Sequence, residues 1–260
     1  MTQFPRWAWV PFGLGVVLLL SPLLGMLTRV AWRRLPELLA SKPAQDALRL
    51  SLVTCSLSTL VVIVIGVPVA VVLARSRGWW TSMVRTLVTV PMVLPPVVAG
   101  LALLVTFGRR GLVGAQLAVL GVEIGFTTVA VIVAQAFVSL PFLVTSLEGA
   151  LRAGGGRYER IAANLGASPN RVFWQITLPV MAPALASGVA LSFARSLGEF
   201  GATLTFAGSL QGITRTLPLE IYLLRESDSD VALALSLVLI VIALLIVLLA
   251  TRLRTWGTHD

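Results

Sequence analysis

Six charge-free apolar windows recur along the chain, at residues 7–28, 50–74, 86–108, 124–147, 172–194 and 231–251. Each holds 21 to 25 residues, close to the roughly 20 that a helix needs to cross the hydrocarbon of a bilayer. One such window would suit a buried helix of a soluble protein. Six predict an all-α polytopic membrane protein with about six transmembrane helices, forming a single membrane domain over residues 1–260. Trp7 and Trp9 suit the headgroup boundary at the start of the first window. That window is long for a secretory leader and lacks a small-x-small cleavage pattern, so a retained first helix is expected.

Prolines, glycines and charges mark where these helices should deviate. Pro36, Pro43 and Asp46 read as a polar connection before the second span, which Gly66 and Pro68 interrupt. Pro91, Pro95 and Pro96, in TVPMVLPPVVAG, are too many for one regular helix, because each lacks a donor and clashes with the preceding turn. They predict a kink or a break, held in the protein interior. Residues 108–125 read as a loop or partial helix. The fourth span is expected to stop near 141–147, with a short helix over 148–157 ended by Gly154, Gly155 and Gly156 and another over 158–166. Ser168 and Pro169 then suit the cap and first residue of a new helix. Pro179 and Pro183 should interrupt the fifth span, and the tract 200–230 should include a short surface or re-entrant helix.

Composition agrees with the pattern: 57% of residues are hydrophobic and 12% charged, with a mean hydropathy of +0.93. The net charge of +9 does not point to nucleic acid, since basic residues beside apolar spans answer to anionic lipid and topology. With six spans, Arg6, Arg75, Arg77, Arg85, Arg152, Arg157, Arg160, Arg171, Arg252 and Arg254 fall on one side. Arg29, Arg33, Arg34, Lys42, Arg49, Arg109, Arg110, Arg215 and Arg225 fall on the other. Ten against nine does not set the orientation. The single Cys55 excludes an intramolecular disulfide, and the sole histidine, His259, cannot build a histidine metal site. No G-x-x-x-x-G-K-[ST] loop is present, so ATP hydrolysis is not expected of this chain.

The polar stretch between the fourth and fifth windows, ERIAANLGASPNRVFWQITLP at 159–179, has a recognisable spacing. It resembles the cytoplasmic coupling motif of ABC-importer permeases: E-A-A, three residues, G, nine residues, I, one residue, L-P. Ala162, Gly166, Ile176, Leu178 and Pro179 match; Arg160 and Ile161 stand at the Glu and first Ala positions, with Glu159 just before. A short helix parallel to the membrane would present Ala162 and Gly166, at i and i+4, as one small-residue face for a nucleotide-driven subunit. A static loop held on lipid by Arg157, Arg160 and Arg171 is the alternative. The resemblance implies a type I ABC importer permease fold, a coupling segment over 148–179, and coupling residues Glu159, Arg160, Ala162, Gly166, Ala167, Ser168 and Pro169.

Residues 190–222, ALSFARSLGEFGATLTFAGSLQGITRTLPLEIY, are similar to the corresponding region of molybdate/tungstate permeases; together with PMVLPPVVAG the likeness runs from about Leu50 onward. Sulfate permeases share much of it, and sulfate or thiosulfate is the second reading. Arg195 and Glu199, at i and i+4, either pair to offset charge in a poor dielectric or fix packing beside the translocation path. Thr203, Thr205 and Ser209 either line that path or bond helix carbonyls, and Pro95 and Pro96 either shape a gate or only the helix. The resemblance also implies partners: a second permease copy, two cytoplasmic ATPases that use ATP and Mg, an extracytoplasmic oxyanion-binding protein, and lipid. It implies the bacterial inner membrane, with termini in the cytoplasm, and no cofactor held by this chain. An ion-coupled secondary transporter would also use broken helices, and a membrane scaffold would explain the spans but not the motif.

Overall fold

The computed structural model describes residues 6–154 and 156–256; Gly155 and His259 lie outside them. The six apolar windows become α1 (Trp9–Arg29), α3 (Lys42–Arg75), the pair α4 (Trp79–Val93) and α5 (Pro96–Phe107), α7 (Thr128–Ala153), the run Pro169–Leu197, and α13 (Ser229–Trp256). Shorter helices connect them: α2 (Leu35–Leu39), α6 (Gly114–Val119), α8 (Arg157–Asn164), α11 (Gly201–Ala207) and α12 (Leu217–Ser227). The run into the fifth span comprises α9 (Pro169–Val172), a π turn (Phe173–Thr177) and α10 (Leu178–Leu197).

The core is a bundle of α3, α7 and α10 packed through small residues. The buried face of α3 runs Ala44, Ala47, Ser51, Thr54, Cys55, Ser58, Val62, Gly66 and Ala70, at helical spacing. Small side chains let membrane helices approach closely, where dispersion rather than water expulsion holds them. Leu143 of α7 is fully buried and shows the fit. A Cβ on Gly66 would sit 3.0 Å from one of its methyls, and a Cβ on Gly188 would sit 2.9 Å from the other. Hydroxyls link the three helices: Ser192 donates to the Ser139 carbonyl at 3.1 Å, and Ser58 and Ser196 lie 3.3 Å apart.

The third span is broken as the prolines predict: α4 and α5 meet at 116°. Leu94 and Pro95 leave the helix in extended backbone and Pro96 starts α5. Elsewhere the structure corrects the sequence reading. The polar connection ends earlier than expected, because Pro43 sits in the first turn of the 34-residue α3, where its missing N–H costs nothing, and Asp46 pairs with Lys42 at 2.7 Å. The fourth span does not stop at 141–147, and no separate helix forms over 148–157; α7 continues to Ala153. Its charge at Glu148 is neutralised within the bundle, so nothing forces the helix to end there. Pro179 and Pro183 do not interrupt the fifth span either. Immediately before Pro179, the Leu178 N–H bonds back to the Phe173 carbonyl, and this wider turn absorbs the proline within a continuous run. The tract 200–230 carries two helices, α11 and α12, and α11 is largely buried.

Polar and charged groups gather at the two ends of the bundle. Arg34 pairs with Asp230 at 3.3 Å and Gln211 reaches Asp46 at 3.4 Å at one end. Arg75, Arg85, Glu148, Arg152 and Glu159 gather at the other.

Candidate functional site

The segment leaving α7 turns at Gly156, whose φ of +63° suits glycine, and enters α8. Helix α8 ends in a paired cap: the Ala167 N–H bonds to the Ala162 carbonyl and the Gly166 N–H to the Ala163 carbonyl, both at 3.0 Å. Gly166 supplies the left-handed residue, at φ +84°. It therefore lies beyond the helix and does not share a face with Ala162, contrary to the i, i+4 expectation. Ala162 is half-buried, and the side of α8 that faces outward carries Tyr158, Ile161 and, at its end, Leu165, the last 83% exposed. These three were not singled out from sequence, although their apolar i, i+3, i+7 spacing sets them in a ridge on one helix face. Arg160 is exposed beside it. The Ser168 side chain accepts from the Arg171 N–H and Pro169 begins α9, as the spacing predicts.

Behind the ridge, Glu159 points into the protein. Its Oε1 accepts from Arg75 Nη2 at 2.8 Å and from Thr177 Oγ1 at 3.2 Å, and Arg75 Nη2 also lies 3.2 Å from Thr177 Oγ1. Three elements thus meet at one carboxylate: α8, the last residue of α3, and the last residue of the π turn. The Glu159 side chain keeps 14% of its surface, and Thr177 is buried. A second carboxylate, Glu148, accepts from Arg85 Nε of α4 at 2.9 Å and lies 2.9 Å from Arg152 Nε, while Arg152 Nη2 donates to the Leu73 carbonyl at 3.1 Å. Between these clusters opens a cavity of about 820 Å³, walled by Arg75, Arg77, Arg152, Arg160, Glu159 and Phe173 among others. Arg75, Arg85, Glu148, Arg152 and Thr177 were not singled out from sequence; partners up to 102 positions apart carry no local signature.

The candidates within the membrane form a separate group, around the break in the third span. Pro95 precedes α5 and Pro96 is its first residue. Helix α11 lies against them so closely that a Cβ on Gly201 would meet Pro96 Cβ at 2.7 Å, and one on Gly100 would meet Thr205 Cβ at 2.7 Å. Glu199 is buried and bridges α10 to α11: Oε2 pairs with Arg195 Nη1 at 2.7 Å, and Oε1 accepts the Ala202 N–H at 2.8 Å. Thr205 donates to the Gly201 carbonyl at 2.8 Å. Thr203 Oγ1 is buried without a hydrogen-bond partner among the described residues. Ser209 stands apart, its Oγ accepting from Arg215 Nε at 3.2 Å, while Arg215 pairs with Glu220 at 3.3 Å. No group of three or more His, Cys, Asp and Glu is placed to hold a metal ion among the described residues.

Among the described residues, a bundle of five long apolar helices with the bent pair α4 and α5, and a capped polar segment between α7 and α10, has counterparts among solved structures. Its fold matches a chain of a bacterial alginate ABC transporter, crystallised in complex with an alginate-bound periplasmic protein (TM-score 0.73, 19% identity, 97% of this chain and 96% of that one). It also matches a chain of the MetNI methionine ABC transporter in an inward-facing form (TM-score 0.66, 20% identity, 84% and 100%). At the sequence level, the molybdenum transport system permease protein ModB of Mycobacterium tuberculosis is 55% identical over 227 residues, 87% of this chain and 86% of that protein. ModB of Escherichia coli is 39% identical over 188 residues, covering 72% and 82%. The E. coli sulfate transport system permease protein CysT is 35% identical over 214 residues, covering 82% and 77%. The signature of binding-protein-dependent transport system inner membrane components spans residues 66–256, from the middle of α3 to the end of α13 and across both site groups. This multi-pass inner-membrane chain belongs to that family.

Proposed function

We propose that this chain, a permease component of an ABC importer, carries molybdate inward across the bacterial inner membrane, with tungstate as a second cargo. The observation that carries the choice of cargo is the 55% identity to ModB over most of both chains, against 35% to the sulfate permease. In this reading two copies enclose the path. An extracytoplasmic binding protein selects the oxyanion and delivers it. Two cytoplasmic ATPase subunits, which bind ATP and Mg, grip the coupling segment within 148–179, and both termini are cytoplasmic. ATP binding favours the outward-facing arrangement; hydrolysis and product release restore the inward-facing one.

The geometry supports this division of labour. A partner's cleft would receive the exposed ridge of Tyr158, Ile161 and Leu165, with Arg160 beside it and Ala162, Gly166, Ala167, Ser168 and Pro169 holding its shape. At protein interfaces a few residues, with Tyr and Arg prominent among them, carry most of the binding energy. At membrane depth, the Arg195–Glu199 pair is closed on itself, which favours a packing role over direct oxyanion contact. Pro95 and Pro96 shape the break on which a gate can turn, with Thr203 and Thr205 in the helix packed against it.

The test is uptake of radiolabelled molybdate by cells lacking their own importer and supplied with this permease, its ATPase and its binding protein. ATP-dependent uptake, blocked by excess tungstate but not by excess sulfate, is expected. ATP-dependent uptake of sulfate without molybdate would move the cargo to the sulfate branch. Uptake of either without an ATPase would favour an ion-coupled carrier and overturn the reading.

A further inference from the structure

We infer that Arg75 and Thr177, through Glu159, are the positioning residues that carry motion of α8 into the membrane bundle. The inference rests on the proposed docking of α8 on an ATPase. A push on α8 has three ways into the spans. The covalent way back to α7 runs through Gly154 and Gly156, the second in the left-handed region. Glycine has more accessible backbone states than any other residue, so this link bends before it transmits force. The covalent way forward, through the paired cap at Gly166 and the Ser168 cap, leads into the continuous helix that becomes α10.

The third way is the side-chain clasp. Glu159 Oε1, Arg75 Nη2 and Thr177 Oγ1 lie within 2.8 to 3.2 Å of one another. Hydrogen bonds between charged groups are shorter and stronger than neutral ones; Glu159 and Thr177 are largely withdrawn from water, while Arg75 keeps 43% of its side-chain surface. Arg75 ends α3, whose packed face from Val62 to Leu73 joins α7 and α10. Thr177 closes the π turn, the one irregular stretch between α9 and α10 and therefore the place where a push along the forward route would be lost. The clasp braces that turn and ties it to α3. Helix α8 then moves with α3 and α10 as one body, while the glycines let its angle to α7 change.

The experiment compares molybdate taken up per ATP hydrolysed by the complete complex in proteoliposomes loaded with ATP, with binding protein outside. Sulfate replaces molybdate if the wild type carries sulfate. Arg75→Gln and Thr177→Val are expected to leave ATP hydrolysis within about twofold of wild type and to lower uptake per ATP by about tenfold, a typical allosteric coupling. Thr177→Ser keeps the hydroxyl and restores the ratio. The exchange Arg75→Glu with Glu159→Arg restores it relative to Arg75→Glu alone, which a role in folding alone would not produce. Wild-type uptake per ATP in both Arg75→Gln and Thr177→Val overturns the clasp while leaving the proposed function standing. So does a Thr177→Ser protein as uncoupled as Thr177→Val. A wild-type complex with no ATP-driven uptake overturns the proposed function and the clasp together.

Discussion

Replacing Glu199 tests whether the junction of α10 and α11 is held by charge. The carboxylate is 1% exposed, and its two oxygens serve different partners, Arg195 at 2.7 Å and the Ala202 N–H at 2.8 Å. In Glu199→Ala, the Ala202 N–H in the first turn of α11 loses its acceptor, a loss of about 1–3 kcal/mol for a buried donor. Arg195 also loses its counter-ion. Breaking a fully buried pair costs about 3–5 kcal/mol in all, but Arg195 retains 28% of its side-chain surface and can turn outward, which places the expected total near 3 kcal/mol. Glu199→Gln keeps one carbonyl oxygen, which can serve the Ala202 N–H or Arg195 but not both, so about half that loss is expected. Glu199→Gln with Arg195→Met removes both charges and should return to within about 1 kcal/mol of wild type. Thermal unfolding in detergent reads the series. At roughly 2–4 °C per kcal/mol for a chain of this size, Glu199→Ala should melt about 10 °C lower. A double variant as unstable as Glu199→Ala would refute the charge argument. So would a Glu199→Ala protein within about 0.6 kcal/mol of wild type, the mean for interhelical polar contacts in membranes.

Gly100→Ala would press a methyl to 2.7 Å from Thr205 Cβ and 2.8 Å from the Ala202 carbonyl; a loss of about 1–3 kcal/mol is expected in the same melting assay. Ser51→Ala removes the acceptor of the buried Leu217 N–H, 2.7 Å away, and should cost about 1–3 kcal/mol, with faster hydrogen exchange confined to the start of α12. Gly166→Ala forces a side chain into φ +84° at about 1–2 kcal/mol. Exchange at the end of α8 should quicken while the melting of the bundle stays put. Unchanged exchange there would mean that the paired cap does not hold the ridge.

The spans were legible because hydrocarbon imposes one requirement, an apolar length, that a sequence displays directly. The broken third span was legible for a similar reason, since Pro95 and Pro96 cannot donate wherever they are placed. The Ser168–Pro169 start is a local signature, as is the pairing of Arg195 with Glu199 one turn away. What stayed hidden depends on distant partners. Glu148 looked like the end of a span because Arg85, which joins Arg152 in neutralising it, lies 63 positions earlier. Pro179 looked like a break because the wide turn that accommodates it shows no residue code. The inward aim of Glu159 and the outward aim of Tyr158, Ile161 and Leu165 follow from how α8 seats on Arg75 and Thr177. The motif at 159–179 marked the segment without showing which side faces out.

Helix α1 has no buried residue among its 21, whereas α5 has 12 residues and α11 only seven. The first is a complete apolar cylinder that lipid alone can solvate. The other two are too short to cross a bilayer and leave helix ends that lipid cannot satisfy. During synthesis α1 can therefore settle into the membrane as soon as it emerges. Helix α5 must wait about a hundred residues for α11 to be made, and biogenesis of the protein is exposed to misassembly during that interval.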